Sequence, residues 1–159
     1  MVANALYEYD TLVWLLSEQG LLKLNPKKPN QVDIFPVPRQ NDFVKNAVRL
    51  DSNRLLLITK NSGLWTFDTE QLRYDDQSLF KAESPQGISS NSLRSIYLDH
   101  ENFLWLSHYG QASIDYAWLG QNHFYHPFEE NNQPPRISAM VEKPGEGIWC
   151  ATDNQGVFV

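Results

Sequence analysis

The sequence predicts an all-β fold assembled from repeated four-stranded antiparallel units, and three observations carry the prediction. A tryptophan-type position recurs at spacings of 42, 49 and 44 residues (14 to 56, 56 to 105, 105 to 149). The runs around it are short, alternating and rich in branched or aromatic side chains. Pro, Gly, Asn or Asp interrupts the chain too often to leave room for a helix of about ten residues.

The recurring position lies in the second strand of each unit. Leu12-Val13-Trp14-Leu15-Leu16-Ser17 falls into register with Arg54-Leu55-Leu56-Leu57-Ile58-Thr59, with Phe103-Leu104-Trp105-Leu106-Ser107-His108 and with Gly147-Ile148-Trp149-Cys150-Ala151-Thr152, so the column reads Trp14, Leu56, Trp105, Trp149. A first strand precedes each of these, as at Leu93–Leu98 and Ile137–Val141, and closes on polar turn residues such as Asp99-His100-Glu101-Asn102. A third strand follows at Gly20–Leu24, Gly63–Phe67, Ala112–Tyr116 and Gly156–Val159; the leading glycines suit a tight turn that needs positive φ. A weaker fourth strand is predicted at Val32–Phe35, around Ser78–Phe80 and at His123–Tyr125, ahead of connections bearing Pro36 and Pro38, Pro85, and Pro134 and Pro135.

Four antiparallel strands per unit of this length match one blade of a β-propeller, whose sheets pack face to face around an axis. The units run roughly over 1–38, 39–86, 87–135 and 136–159, the last without its outermost strand. The chain is therefore expected to be part of a larger propeller. Trp14, Trp105 and Trp149 are expected to fill the wedge between neighbouring sheets, not to serve as ligand platforms.

Composition narrows the function. The chain has 159 residues, 13% of them aromatic, and a net charge of −6. That balance disfavours nucleic acid and anionic lipid, and no basic cluster counters it. The longest apolar run, Leu12–Leu16, is far too short to cross a bilayer. The single Cys150 excludes an internal disulfide and a multi-cysteine zinc cage.

The stretch Gly87-Ile88-Ser89-Ser90-Asn91-Ser92-Leu93-Arg94-Ser95-Ile96-Tyr97-Leu98-Asp99, followed by Asn102-Phe103-Leu104-Trp105-Leu106, resembles the two-component regulator propeller repeat. The resemblance runs over nearly the whole chain and is weakest in the second unit, where Leu56 replaces the tryptophan. The third unit departs from the pattern at its end: His108 stands where Thr is usual, and Gln111-Ala112 where Gly-Leu is usual. The resemblance implies a non-catalytic sensor propeller of the seven-bladed type, of which this chain is a part, lying outside the cytoplasm in an inner-membrane receptor such as a histidine kinase or diguanylate cyclase. Its implied partners are the remaining blades, an output domain and a carbohydrate or other polar ligand. A homodimer through exposed blade edges is a further expectation.

Propeller geometry places the loops joining second to third strands on the same face as the connections between units, and ligands usually meet such faces. The candidate ligand-binding residues on them are Lys60, Asn61, Tyr109, Asp153 and Asn154 from the loops, with Asn91 and Arg136 from the connections. His108 joins them as an imidazole in place of a small hydroxyl. No metal site and no cofactor are expected: His123 and His126 point to opposite faces of a strand, and Asp75-Asp76 and Glu129-Glu130 lack the spacing of a calcium loop. No nucleophile elbow or phosphate loop appears, and Cys150 falls on a strand expected to be buried. The competing expectation is a non-catalytic scaffold for protein association.

Overall fold

The computed structural model describes residues 3–9 (backbone only), 12–75, 87–110, 113–119, 124–126, 136–153 and 155–159. The first sheet runs β1 (Ala3–Tyr9), β2 (Leu12–Ser17), β3 (Gly20–Leu24), β4 (Val32–Phe35), and the second β5 (Val44–Arg49), β6 (Arg54–Thr59), β7 (Leu64–Asp68), β8 (Arg73–Tyr74). The third holds β9 (Leu93–Leu98), β10 (Phe103–His108) and β11 (Ile114–Trp118), with a single bridge from Tyr116 to Tyr125 where a fourth strand is expected. The fourth holds β12 (Ile137–Lys143), β13 (Gly147–Thr152) and β14 (Val157–Phe158). Every pairing is antiparallel between sequential strands, and no helix occurs among the described residues. No helix is therefore long and apolar enough to cross a membrane there.

In the second sheet β7 is paired by β8 at Arg73–Tyr74, and the strand expected around Ser78–Phe80 lies outside the described residues. Non-local contacts hold β8 there. Tyr74 Oη donates to the Phe35 carbonyl of the first sheet at 2.9 Å, and its ring meets Phe67 edge-on at 5.0 Å. Burial pushes the Tyr74 phenol above its ordinary pKa.

The first strands approach one another in chain order, β1 to β5 to β9 to β12, which makes them the inner strands of successive blades. Between blades lie apolar layers. Trp14 is wholly buried against Phe67 of the next blade at 5.5 Å and shares its layer with Leu16, Val44 and Leu57. The next layer joins Leu56 and Ile58 to Ile88, Leu93, Ile96 and Phe124. The third sets Trp105 against Ile137, Ile148 and Cys150. Trp14, Leu56 and Trp105 thus face the blade that follows. Each fully buried large side chain contributes about 1.5–3 kcal/mol, so these layers hold the sheets in place.

One irregularity repeats in all four blades. The inner strand slips by one residue against its neighbour near its start: between Ala3 and Ala5, Val44 and Asn46, Leu93 and Ser95, and Ile137 and Ala139. The residues left out of register are those at position 4, Lys45, Arg94 and Ser138. A bulge of this kind re-aims a side chain away from the regular pleat.

Candidate ligand-binding face

The loops between second and third strands meet the incoming connections of their blades through backbone hydrogen bonds. Lys60 N donates to Phe43 O at 3.2 Å, Tyr109 N to Ser92 O at 2.8 Å, and Asp153 N to Arg136 O at 3.1 Å. The corner of the second blade also reaches the connection into the third, because Gly63 N donates to Asn91 O at 2.8 Å. Gly63 sits at φ 74° with Asn91 Oδ1 only 2.8 Å from where a Cβ would lie, so only glycine fits that approach. The expectation that these two kinds of loop share one face therefore holds geometrically.

On that face a chain of cations and rings crosses three blades. Lys60 Nζ lies 5.6 Å from the centre of the Phe43 ring, and Lys45 Nζ lies 5.6 Å from the same ring and 4.4 Å from that of Tyr109. The Arg94 guanidinium approaches Tyr109 at 5.6 Å and forks onto Asp153 of the fourth blade at 2.7 and 2.8 Å. These are cation–π distances. The Arg94 pair holds the Asp153 carboxyl below its ordinary range and raises Arg94 in turn. Tyr109 keeps 53% of its surface exposed, so the ring between the two bulge cations remains available from solvent.

Lys45 and Arg94 are absent from the candidates read in the sequence. They lie inside strands, where alternation alone does not mark them. The usable signal is spacing: each stands fourteen residues ahead of the last residue of its blade's second strand, Thr59 or His108, at the position where the bulge falls. Of the candidates that were read, Lys60, Tyr109, Arg136 and Asp153 come together on this face. Asn61 contributes its backbone N–H to Asp42 Oδ1 at 3.1 Å, and Asn91 its carbonyl to Gly63. Asn154 lies outside the described residues.

His108 goes inward. Its side chain is fully buried, with Nε2 2.8 Å from Asp115 Oδ2, although neither ring nitrogen makes a well-aligned hydrogen bond. Asp115, equally buried, accepts from Ser89 N at 2.6 Å and from Ser89 Oγ at 2.5 Å, and His126 Nδ1 stands 2.8 Å from its Oδ1. Burial drives the Asp115 carboxyl upward, but the His108 ring and the Ser89 donors outweigh it and hold the group below its ordinary range. Serine, histidine and aspartate together invite a hydrolase reading, and the geometry argues against it. A proton relay uses opposite nitrogens of the imidazole, whereas Ser89 Oγ lies 2.9 Å from the same His126 Nδ1 that Asp115 engages. The Ser89 proton is already given to the carboxylate. What the cluster does is tie the incoming connection of the third blade to its third strand.

A cleft of about 620 Å³ opens between the third and fourth sheets, lined by Trp105, Tyr116, Ile137, Ile148, Cys150 and Phe158 among others. Its volume suits a small molecule, and some of its polar groups are engaged with one another: Trp105 Nε1 donates to Asp99 at 2.8 Å, and Glu142 holds His100. Burial pushes the Cys150 thiol up, away from the reactive thiolate. No group of three or more potential metal ligands exists among the described residues.

No protein family model and no curated protein matches the chain in sequence. Solved structures do match. The extracellular domain assigned to the hybrid two-component system BT3049 of B. thetaiotaomicron superposes with a TM-score of 0.75 at 14% identity, over 98% of this chain and 21% of that one. The fold is that of propeller blades. The extracellular domain assigned to the one-component system BT4673 of the same bacterium also gives 0.75, at 12% identity over 98% of this chain and 24% of that one. The computationally designed Ika4 protein gives 0.67 at 11% identity, over 99% and 89%. The chain thus spans a quarter or less of the two bacterial domains.

Proposed function

We propose that the chain is a ligand-sensing propeller segment of a bacterial receptor of the two-component or a related type, acting outside the cytoplasm and taking a carbohydrate or other polar ligand. The observation that carries this reading is the exposed Tyr109 ring flanked by Lys45 and Arg94, on the face where blade corners and connections meet. A flat ring and forked donors together suit a sugar's apolar face and its polar substituents. The chemistry there suits recognition: the groups exposed among the described residues of the face are a ring and cations. Signalling follows if the ligand prefers one of two receptor arrangements and shifts the population toward it. The Arg94–Asp153 pair joining the third and fourth blades is a contact that such a ligand disturbs directly.

The test is a titration of the chain with a panel of oligosaccharides, followed by heteronuclear NMR. Ligand-dependent shifts at Tyr109, Lys45 and Arg94 are expected, with loss of binding in Tyr109→Ala. A panel that leaves these signals unmoved argues against the reading. The scaffold alternative draws on a different place. Val141 and Val157, on the fourth sheet, are 58% and 59% exposed beside the half-buried Trp149, an apolar face suited to association. Association that survives Tyr109→Ala but is lost in Val141→Asp favours that alternative.

A further inference from the structure

We infer that the ligand of this face is an acidic carbohydrate, a glycan bearing carboxylate or sulfate groups, with its ring against Tyr109 and its anions among Lys45, Lys60 and Arg136. This rests on the reading of the face as a ligand site and adds the charge of what it takes. The argument is a comparison of which charged groups the protein has already satisfied.

The carboxylates in and beneath the face are all engaged. Asp42 accepts from Phe43 N at 2.9 Å, from Asn61 N at 3.1 Å and from Ser62 Oγ. Asp115 is held by Ser89, His108 and His126. Asp153 places both oxygens on Arg94. The cations are not matched in the same way. Among the described residues Lys45 and Lys60 enter no ion pair and meet only the Phe43 and Tyr109 rings, while Arg136 stands near enough to Asp153 to help hold that carboxyl down. An ammonium over a ring still has donors to offer, and an anion that reaches it takes a charge-assisted hydrogen bond.

The surroundings sharpen the point. The protein as a whole carries −6, so unmatched positive charge concentrated on one face is where an anion is drawn. A bare inorganic anion makes no use of the rings, and a neutral sugar makes no use of the ammonium groups. A sugar ring with an acidic substituent uses both. The Arg94 fork, already occupied by Asp153, is geometrically suited to an incoming carboxylate or sulfate in its place.

Isothermal titration of the chain with an oligogalacturonide, its methyl ester, a chondroitin sulfate tetrasaccharide and an oligodeoxynucleotide of equal charge tests this. The acid is expected to bind at least about ten-fold more tightly than its methyl ester, as the loss of a charge-assisted bond predicts. Binding should weaken with added salt and fall in Lys45→Gln and in Tyr109→Ala, with melting curves showing both variants folded. Preference for the oligogalacturonide assigns carboxylate, and preference for the tetrasaccharide, which bears both groups, shows that sulfate adds to carboxylate; either supports the inference. Equal binding of acid and ester, both lost in Tyr109→Ala, overturns the charge inference while leaving the face a ligand site. Binding of none of the glycans overturns both. Oligonucleotide binding as tight as the glycans and indifferent to Tyr109→Ala reveals an undirected charge patch and also overturns it.

Discussion

The corner that ends the second strand is built in two ways within this one molecule. In the second blade Thr59 Oγ1 accepts from Ser62 N at 2.9 Å and donates to Gly63 O at 3.1 Å, closing the turn upon itself. Ser17 and Thr152 do the same in the first and fourth blades. In the third blade the same position is His108, and the turn is tied through Asp115 to Ser89 and His126. A hydroxyl satisfies its own turn locally at small cost. A buried imidazole and carboxylate must instead recruit the connecting segment, so that this blade's closure depends on partners far away in sequence. Tyr109, the exposed ring of the candidate face, is the next residue along, which places the proposed ligand site directly upon the corner with the most to lose.

The comparison can be broken most severely at Asp115. Asp115→Ala leaves His108, His126 and Ser89 without their shared acceptor and is expected to cost about 3–5 kcal/mol, read as a drop in the denaturation midpoint. His108→Thr installs the residue used by the other blades. It should cost less, about 2–4 kcal/mol, because the carboxylate keeps Ser89 and His126 while a cavity opens. A gain in stability there would show that the imidazole is not structural. Thr59→Ala removes only two local hydrogen bonds and is expected to cost about 1–2 kcal/mol. Thr152→Ala, at a more exposed corner, should cost about 0.5 kcal/mol, near the limit of measurement.

Acid sharpens the same contrast. The folded-state pKa of Asp115 lies below its ordinary value of 3.8. The group therefore contributes stability that is fully present above that value and is lost as pH falls through the folded value. Urea melts at falling pH should show a steeper decline for the wild type than for Asp115→Asn. Equal slopes would remove Asp115 from the account.

Much of the architecture was legible because it is local. All four second strands occupy the runs read from the sequence, 12–17, 54–59, 103–108 and 147–152, since apolar runs bounded by turn residues leave little choice of register. Strand β8 is not legible in the sequence because two residues carry no periodicity; the contacts of Tyr74 with Phe35 and Phe67 fix it, and they cross between strands and blades. The site divides along the same line. Lys60, Tyr109, Arg136 and Asp153 were visible as polar loop residues, whereas Lys45 and Arg94 depend on a register slip that residue types do not announce. His108 stood out as a departure from the repeat, but its direction is set by Asp115, Ser89 and His126, which the sequence does not place beside it.

The recurrent bulge at the start of each inner strand separates two tasks. In the second, third and fourth blades its extra residue, Lys45, Arg94 or Ser138, stands outside the paired ladder and belongs to none of the layers between blades, so its identity is free of the demands that keep Trp14 or Leu57 apolar. The occupants already differ: Asn at position 4, then Lys45, Arg94 and Ser138. The side chain at this position can therefore be exchanged one blade at a time, while the scaffold beneath it stays unchanged.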